Sequence, residues 1–175
     1  MKSHKSIRDM VIFAMLGTLM FISKLVMEGL PNIHPVAMFI MVFTIVYRVR
    51  ALIPIYIFIV LTGLYGGFSI WWVPYIYIWT ILWGMTMLLP QKMPKKIGAV
   101  VYPLVCGLYG LLYGVLYAPA QAILFGYDLQ KTLLWISTGL PYDAIHAAGN
   151  VAMGLLILPL SELLKRLEKS TSART

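Results

Sequence analysis

The chain alternates between long apolar segments and short stretches that carry prolines, glycine pairs or basic residues. The segments predict helices at about residues 7–28, 35–47, 51–65, 71–89, 97–125 and 141–166. Most of them approach the roughly 20 residues that an α-helix needs to cross a hydrocarbon core of about 30 Å. The pattern therefore predicts an all-α integral membrane protein with six transmembrane helices in one compact bundle.

The composition agrees with a membrane protein. Hydrophobic residues make up 61% of the 175 residues and charged residues 11%, whereas soluble proteins have about 25% charged residues. The mean hydropathy is +0.85. We expect one six-helix transmembrane domain over residues 1–175, with short cytoplasmic tails at about 1–6 and 167–175. The first apolar segment is long and lacks a small-x-small cleavage site, which favours a retained helix over a cleaved signal.

Basic residues cluster in alternate connections between the predicted helices. All fourteen lysines and arginines except Lys24 and Lys131 lie at the start of helix one, after helices two and four, or at the end of helix six. Because cytoplasmic loops carry an excess of Lys and Arg, both termini are predicted to be cytoplasmic. The net charge of +8 is thus interpreted as a topology signal, and no nucleic-acid partner is expected.

The last predicted helix opens with three polar residues in the stretch PYDAIHAAGN. Asp143, His146 and Asn150 fall within about 60° of arc on one helical face. Polar groups at this depth are expensive unless they are paired or wetted, so the face predicts a ligand cavity. The alternative is structural: Asp143 favours the helix N-terminus, and the other two bond to neighbouring helices.

Aromatic and polar residues on other helices point to the same outer half. Helix five carries a stripe that includes Tyr113, Tyr117 and Gln121. Helix four carries Trp72, Tyr75 and Trp79 on one face, and aromatic faces can stack on a flat ring or a cation. Packing within the bundle, or anchoring at the membrane interface, would use the same residue types.

The first outer connection, EGLPNIHP, supplies two further candidates. Asn32 and His34 could close over a ligand. Lys24 and Glu28 stand four residues apart near the outer end of helix one, where an ion pair or a snorkelling lysine is the favoured interpretation.

No enzyme motif is found by inspection. The chain has no HExxH, GxSxG or Walker loop, its three histidines lack ligand-like spacing, and Cys106 is its only cysteine. We therefore expect neither catalysis nor a metal site. Two other classes remain open: a membrane scaffold subunit, and an intramembrane enzyme that uses Asp143 and His146 as an acid/base pair.

The small size, the predicted topology and a last helix reading PYDAIHAAGNVAMGLLILPL resemble the substrate-binding S components of energy-coupling factor transporters. The resemblance covers nearly the whole chain. It implies capture of a vitamin or related micronutrient at the outer face of a bacterial cell membrane. The positions that match the family's ligand site are Asn32, His34, Trp72, Tyr75, Tyr117, Gln121, Asp143, His146 and Asn150, and Trp79 is added from the aromatic face.

The resemblance also implies partners. The first helix of the family commonly presents an Ala-x-x-x-Ala surface to a transmembrane coupling subunit. Here FAMLGT supplies Ala14 and Thr18 at that spacing, with Gly17 beside them. Two cytoplasmic ATPases would use ATP, while this chain binds no cofactor, and the subunit would tilt in the membrane to release its solute. From the aromatic and polar residues, the expected ligand is a small ring compound that carries hydrogen-bond donors. A positively charged compound falls within this expectation.

Overall fold

Eight α-helices form the part of the chain that the computed structural model describes, residues 2–30 and 32–172. No strand occurs among these residues. Met1, Pro31 and residues 173–175 of the predicted tail lie outside the described residues. The helices are α1 Lys2–Val26, α2 Val36–Tyr47, α3 Leu52–Gly66, α4 Tyr75–Met87, α5 Lys95–Leu111, α6 Tyr113–Phe125, α7 Leu129–Gly154 and α8 Ile157–Ser172.

Three helical stretches of the described chain are long and apolar enough to cross a membrane. They are Ile7–Val26, Val36–Gly66 and Lys95–Phe125. Helices α7 and α8 count as a fourth if the pair, bent by 45°, is one span. Pro159 explains the bend, because it cannot donate to the carbonyl of Leu155. The fold is thus all-helical and compatible with a membrane protein, and the number of six crossings stays a prediction.

The predicted helices agree with the structure best in the first half of the chain. The second and third predicted helices match α2 and α3 within one residue at each end. The fifth is divided at Leu112 into α5 and α6. The sixth was predicted to begin at Pro141, which is wrong, because α7 begins at Leu129 and runs through that proline. Residues 2–6 and 167–172 of the predicted tails are helical.

One end of the bundle, here called the ion-pair end, is held by charged residues. Asp9 accepts hydrogen bonds from Arg8, with Nη2 and Oδ1 3.1 Å apart, and from Arg50, with Nη2 and Oδ2 2.5 Å apart. The hydroxyl of Tyr47 donates to Glu168 Oε1 at 2.9 Å. These contacts join the start of α1, the end of α2 and the last turns of α8.

The other end, here called the aromatic end, is built from rings near the start of α4, in α6 and in α7. The hydroxyl of Tyr117 donates to the carbonyl of Trp71 at 2.9 Å. The Tyr117 ring also stacks on Trp135, with centroids 6.0 Å apart. Trp71 meets Tyr75 edge to face at 5.6 Å.

Lys24 at the end of α1 lies about 24 Å along that helix from Arg8, so the two ends are separated by most of a bilayer core.

Small residues let α5 and α7 approach closely. A Cβ added to Gly110 would lie 2.9 Å from the Cα of Ala147, and one added to Gly154 would lie 2.7 Å from the Cα of Pro103. Packing of this kind is typical of membrane helices, which associate through small residues. It brings the polar face of α7 against α5 and α6.

Large apolar side chains cover much of the outer surface. Leu64, Leu104 and Ile123 are 66%, 60% and 82% exposed, which would be unfavourable in water over so wide an area. The buried core lies between α2, α3, α4 and α5, where Phe43, Phe58 and Trp79 are enclosed. The apolar exterior is therefore suited to lipid.

Candidate functional site

Two neighbouring cavities lie at the aromatic end. The first, here called the lysine cavity, has a volume of about 200 Å³, and its lining includes Lys24, Glu28, Asn32, His34, Tyr75 and His146. The second, here called the aspartate cavity, has a volume of about 380 Å³, and its lining includes Asn32, Tyr113, Tyr117, Trp135, Asp143 and His146. Tyr113 lines both cavities, as do Asn32 and His146. The two spaces therefore meet at these three side chains.

Two histidines from distant parts of the chain face each other at this junction. The ring centroids of His34 and His146 are 5.2 Å apart. His146 is 3% exposed, and neither its Nε2 nor the Nδ1 of His34 has a hydrogen-bond partner among the described residues. Buried polar atoms are rarely left without a partner, so these nitrogens require a ligand or water.

His34 is held in its neutral form. Burial, together with the nearby His146 and Lys24, lowers the pKa of His34 to about 3. A neutral imidazole offers one donor and one acceptor nitrogen. At neutral pH this ring can therefore form hydrogen bonds with a ligand but adds no charge.

Aromatic rings form the walls around the histidines. Tyr113 packs on His146 with centroids 4.8 Å apart, and Trp79 lies 6.2 Å from His34 and 5.5 Å from Tyr75. Trp79 is fully buried, and its Nε1 lacks a partner in the described part of the chain. An apolar wall with a few unpaired polar atoms is typical of small-molecule sites.

Asp143 links α7 to the break between α5 and α6. Both carboxylate oxygens accept from the backbone N–H of Gly114, each at 3.2 Å. Because α6 begins at Tyr113, Asp143 caps that helix from a neighbouring element, where a negative charge is favoured. Asp143 lies in the middle of α7, not in its first turns, and its oxygens also line the aspartate cavity.

Asn150 makes a structural contact about two turns further along α7 than Asp143. Its side-chain nitrogen donates to the carbonyl of Cys106 on α5 at 3.2 Å, and the residue is 2% exposed. Asn150 lines neither cavity. The polar face predicted for residues 143, 146 and 150 is buried against α5 and α6, but only its first two members reach the cavities.

Some of the remaining predicted site residues line the cavities, and others do not. Asn32, His34, Tyr75 and Tyr117 line one or both cavities, and Trp79 packs behind His34. The indole of Trp72 donates to the carbonyl of Ile59 at 2.8 Å and packs on Phe68, away from both cavities. Gln121 is half-buried on α6 and lines neither cavity.

Nine residues that line the cavities were not among the predicted site residues, and they include Lys24, Glu28, Tyr113 and Trp135. Lys24 and Glu28 were interpreted as an ion pair or a snorkelling lysine, although Lys24 is one of the two basic residues outside the clusters that were predicted to be cytoplasmic. Tyr113 was named in the stripe of predicted helix five but was not predicted to be a site residue. Trp135 falls in the connection between the fifth and sixth predicted helices, for which a short surface helix was the most that was expected, whereas it lies on the long helix α7.

The predicted docking residues lie on two faces of α1. Ala14 and Thr18 are exposed, and the Thr18 hydroxyl donates to the carbonyl of Ala14 at 2.9 Å. Gly17 is buried against α3, since a Cβ there would lie 2.9 Å from the carbonyl oxygen of Pro54. Gly17 therefore packs α1 within the chain and does not share the exposed face.

Comparisons with protein-family models, with curated proteins and with solved structures found no match for this chain.

Proposed function

We propose that this protein is the substrate-specific S component of an energy-coupling factor importer in a bacterial cell membrane. In this role it captures a small ring-containing micronutrient at its outer face. The observation that carries the proposal is the pair of buried ring nitrogens, His34 Nδ1 and His146 Nε2, that share a cavity without partners in the described chain. A scaffold protein has no need for such a cavity at the end of its bundle.

Contacts at the two ends of the bundle support six passes across the membrane. At the ion-pair end Arg48 donates to the carbonyl of Met87 at 3.0 Å, and Lys95 pairs with Glu162 at 2.7 Å. The connection after α2, the end of α4, the start of α5 and helix α8 thus meet at one end. The basic residues of this end are then cytoplasmic, and the cavities open outside.

The proposed transport involves no chemistry on the solute. The chain binds the solute and docks on a transmembrane coupling subunit, while two cytoplasmic ATPases use ATP to drive release inside. The exposed face of α1 with Ala14 and Thr18 is the proposed docking surface. Energy from the partners is required because a ligand shifts a conformational equilibrium only by its preference for one state.

The chemistry of the walls supports a ring-shaped solute. Tyr75, Tyr113 and Tyr117 offer flat surfaces, and the two histidines with Asn32 offer hydrogen bonds. Aromatic pairs contribute about 0.5–1.5 kcal/mol beyond their buried area. A lipid chain would leave the hydrogen-bonding groups unused, and a bare metal ion would leave the flat aromatic surfaces unused.

The first test is mass spectrometry of small molecules released when the detergent-purified protein is denatured. We expect one compound at close to one per chain from the wild type. His146→Ala removes a hydrogen-bonding ring from both cavities and should reduce this compound at least tenfold.

Gln121→Ala is the matched control, because Gln121 lies on the neighbouring helix α6 and lines neither cavity. It should retain the compound at the wild-type level. Thermal unfolding of each empty variant shows whether the fold is intact. A wild-type protein that releases no enriched compound contradicts the proposal, as does equal retention by folded His146→Ala.

A further inference from the structure

Lys24 is the only cation that lines the lysine cavity among the described residues. Its side chain is half-buried near the end of α1, whereas Glu28, the other charged residue of the lining, is exposed. The Lys24 side chain is therefore more enclosed than the Glu28 side chain.

The ammonium of Lys24 has no internal counter-ion in the described part of the chain. Although Glu28 stands four residues further on, no nitrogen–oxygen distance between the two side chains is within 4.0 Å, and Lys24 makes no hydrogen bond with any described residue. A partly buried charge without a partner is costly. An anion bound in the cavity would supply the missing partner.

Asp143 and the two histidines do not act as the counter-ion of Lys24. Asp143 lines the neighbouring cavity, and both its oxygens are engaged by the backbone N–H of Gly114. His34 and His146 can each donate a ring N–H to an acceptor. Apart from the exposed Glu28, the lysine cavity thus presents one cation and several neutral hydrogen-bonding groups.

The walls limit the rest of the ligand. Tyr75 and Tyr113 border the lysine cavity, and Tyr113 lies against His146 with centroids 4.8 Å apart. A planar ring can pack between such side chains. The volume of about 200 Å³ suits a single ring, and the shared residues open the way to the aspartate cavity for a larger substituent.

We propose that the lysine cavity selects a ring compound that carries a carboxylate, and that Lys24 pairs with this carboxylate. The inference rests on the proposed binding function and narrows its ligand class. It differs from the sequence-based expectation, which included a cationic ring.

The test uses three probes with the same ring and different charge: benzoate, benzamide and benzylamine. Dissociation constants are measured by titration of the detergent-solubilised full chain, after any co-purified compound has been exchanged out. In the wild type, benzoate should bind at least tenfold more tightly than benzamide, and benzylamine should bind most weakly. Lys24→Met should reduce the preference for benzoate over benzamide to within about twofold.

Two further variants test whether the positive charge of Lys24 causes the preference for benzoate. Lys24→Arg keeps the positive charge and should retain most of the benzoate preference. Glu28→Gln removes the other charge of the same cavity and should leave the benzoate constant unchanged or tighter. Thermal unfolding without ligand confirms that each variant is folded.

Benzoate that binds no more tightly than benzamide overturns the inference. So does a benzoate preference that survives Lys24→Met, or one that is lost in Glu28→Gln alone. If the compound released from the wild type is neutral or cationic at neutral pH, the anion inference is wrong while the binding function stands. If nothing is released and none of the probes binds, both are wrong.

Discussion

At the scale of single residues, Asp143 shows how a side chain of α7 fixes the shape of its neighbour. In a continuous helix the N–H of Gly114 would donate to the carbonyl of Gly110, but here it donates to the carboxylate of Asp143. Insertion of a side chain into the helix ladder is a recognised cause of a break. The break lies beside Tyr113, so Asp143 also positions a ring that lines both cavities.

We therefore predict that Asp143→Ala lowers the free energy of unfolding by about 1–3 kcal/mol, because it leaves a buried N–H without an acceptor. Asp143→Asn keeps a carbonyl oxygen at the same position and should lose less than half as much. Thermal unfolding of the ligand-free protein in detergent measures both. Equal stability of the alanine variant and the wild type would show that the contact is not structural.

Part of this residue-level arrangement could be predicted from the sequence. The spacing of Asp143, His146 and Asn150 placed them on one face, and all three are buried. Their partners could not be predicted, because the carbonyl of Cys106 and the N–H of Gly114 are backbone groups of another helix. Spacing along one helix indicates a direction but does not identify what lies there.

At the scale of helices, the close packing of α5 on α7 determines where the site residues of α7 lie. A Cβ at Gly110 would lie 2.8 Å from the side-chain nitrogen of Asn150 and 2.9 Å from the backbone of Ala147. Both distances are shorter than a van der Waals contact, and backbone atoms of packed helices cannot move aside freely. Gly110 thus sets the distance between α5 and α7, the helix that carries His146.

Gly110→Ala should lower the free energy of unfolding by about 1–3 kcal/mol through overpacking. Gly84→Ala on α4 is the matched control, since a Cβ there meets no atom within 4 Å. That control should be neutral or stabilising by up to about 1 kcal/mol, because alanine has the higher helix propensity. Equal effects of the two substitutions on thermal unfolding would exclude close packing as the reason for glycine at 110.

The helices themselves were predictable where apolar segments end in clear breaks. Helices α2 and α3 are bounded by Pro35, by the arginines at 48 and 50, and by Gly67, so both were predicted closely. Helix α7 was predicted to begin too late because Pro141 was interpreted as its first turn. The available signal was Asp128, whose carboxylate caps α7 by accepting from the N–H of Lys131 at 2.8 Å.

At the scale of the whole molecule, the ion pairs of the described residues lie at one end, and the aromatic contacts around the cavities lie at the other. The sequence predicted that the basic clusters share one side of the bundle; the structure brings Arg8 and Arg50 together at the ion-pair end, and the cytoplasmic position of that end stays a prediction. It could not predict the contents of the cavity, because Lys24, His34 and His146 come from three separate elements and meet only in the folded chain. The cavities, the proposed ligand and the proposed route of transport all depend on this meeting.

The most direct measurement of the central claim is native mass spectrometry of the intact chain released from detergent. We predict a species with one small molecule per chain, and its loss in His146→Ala but not in Gln121→Ala. A wild-type chain that carries no small molecule, or one whose occupancy is the same in all three proteins, would contradict the account.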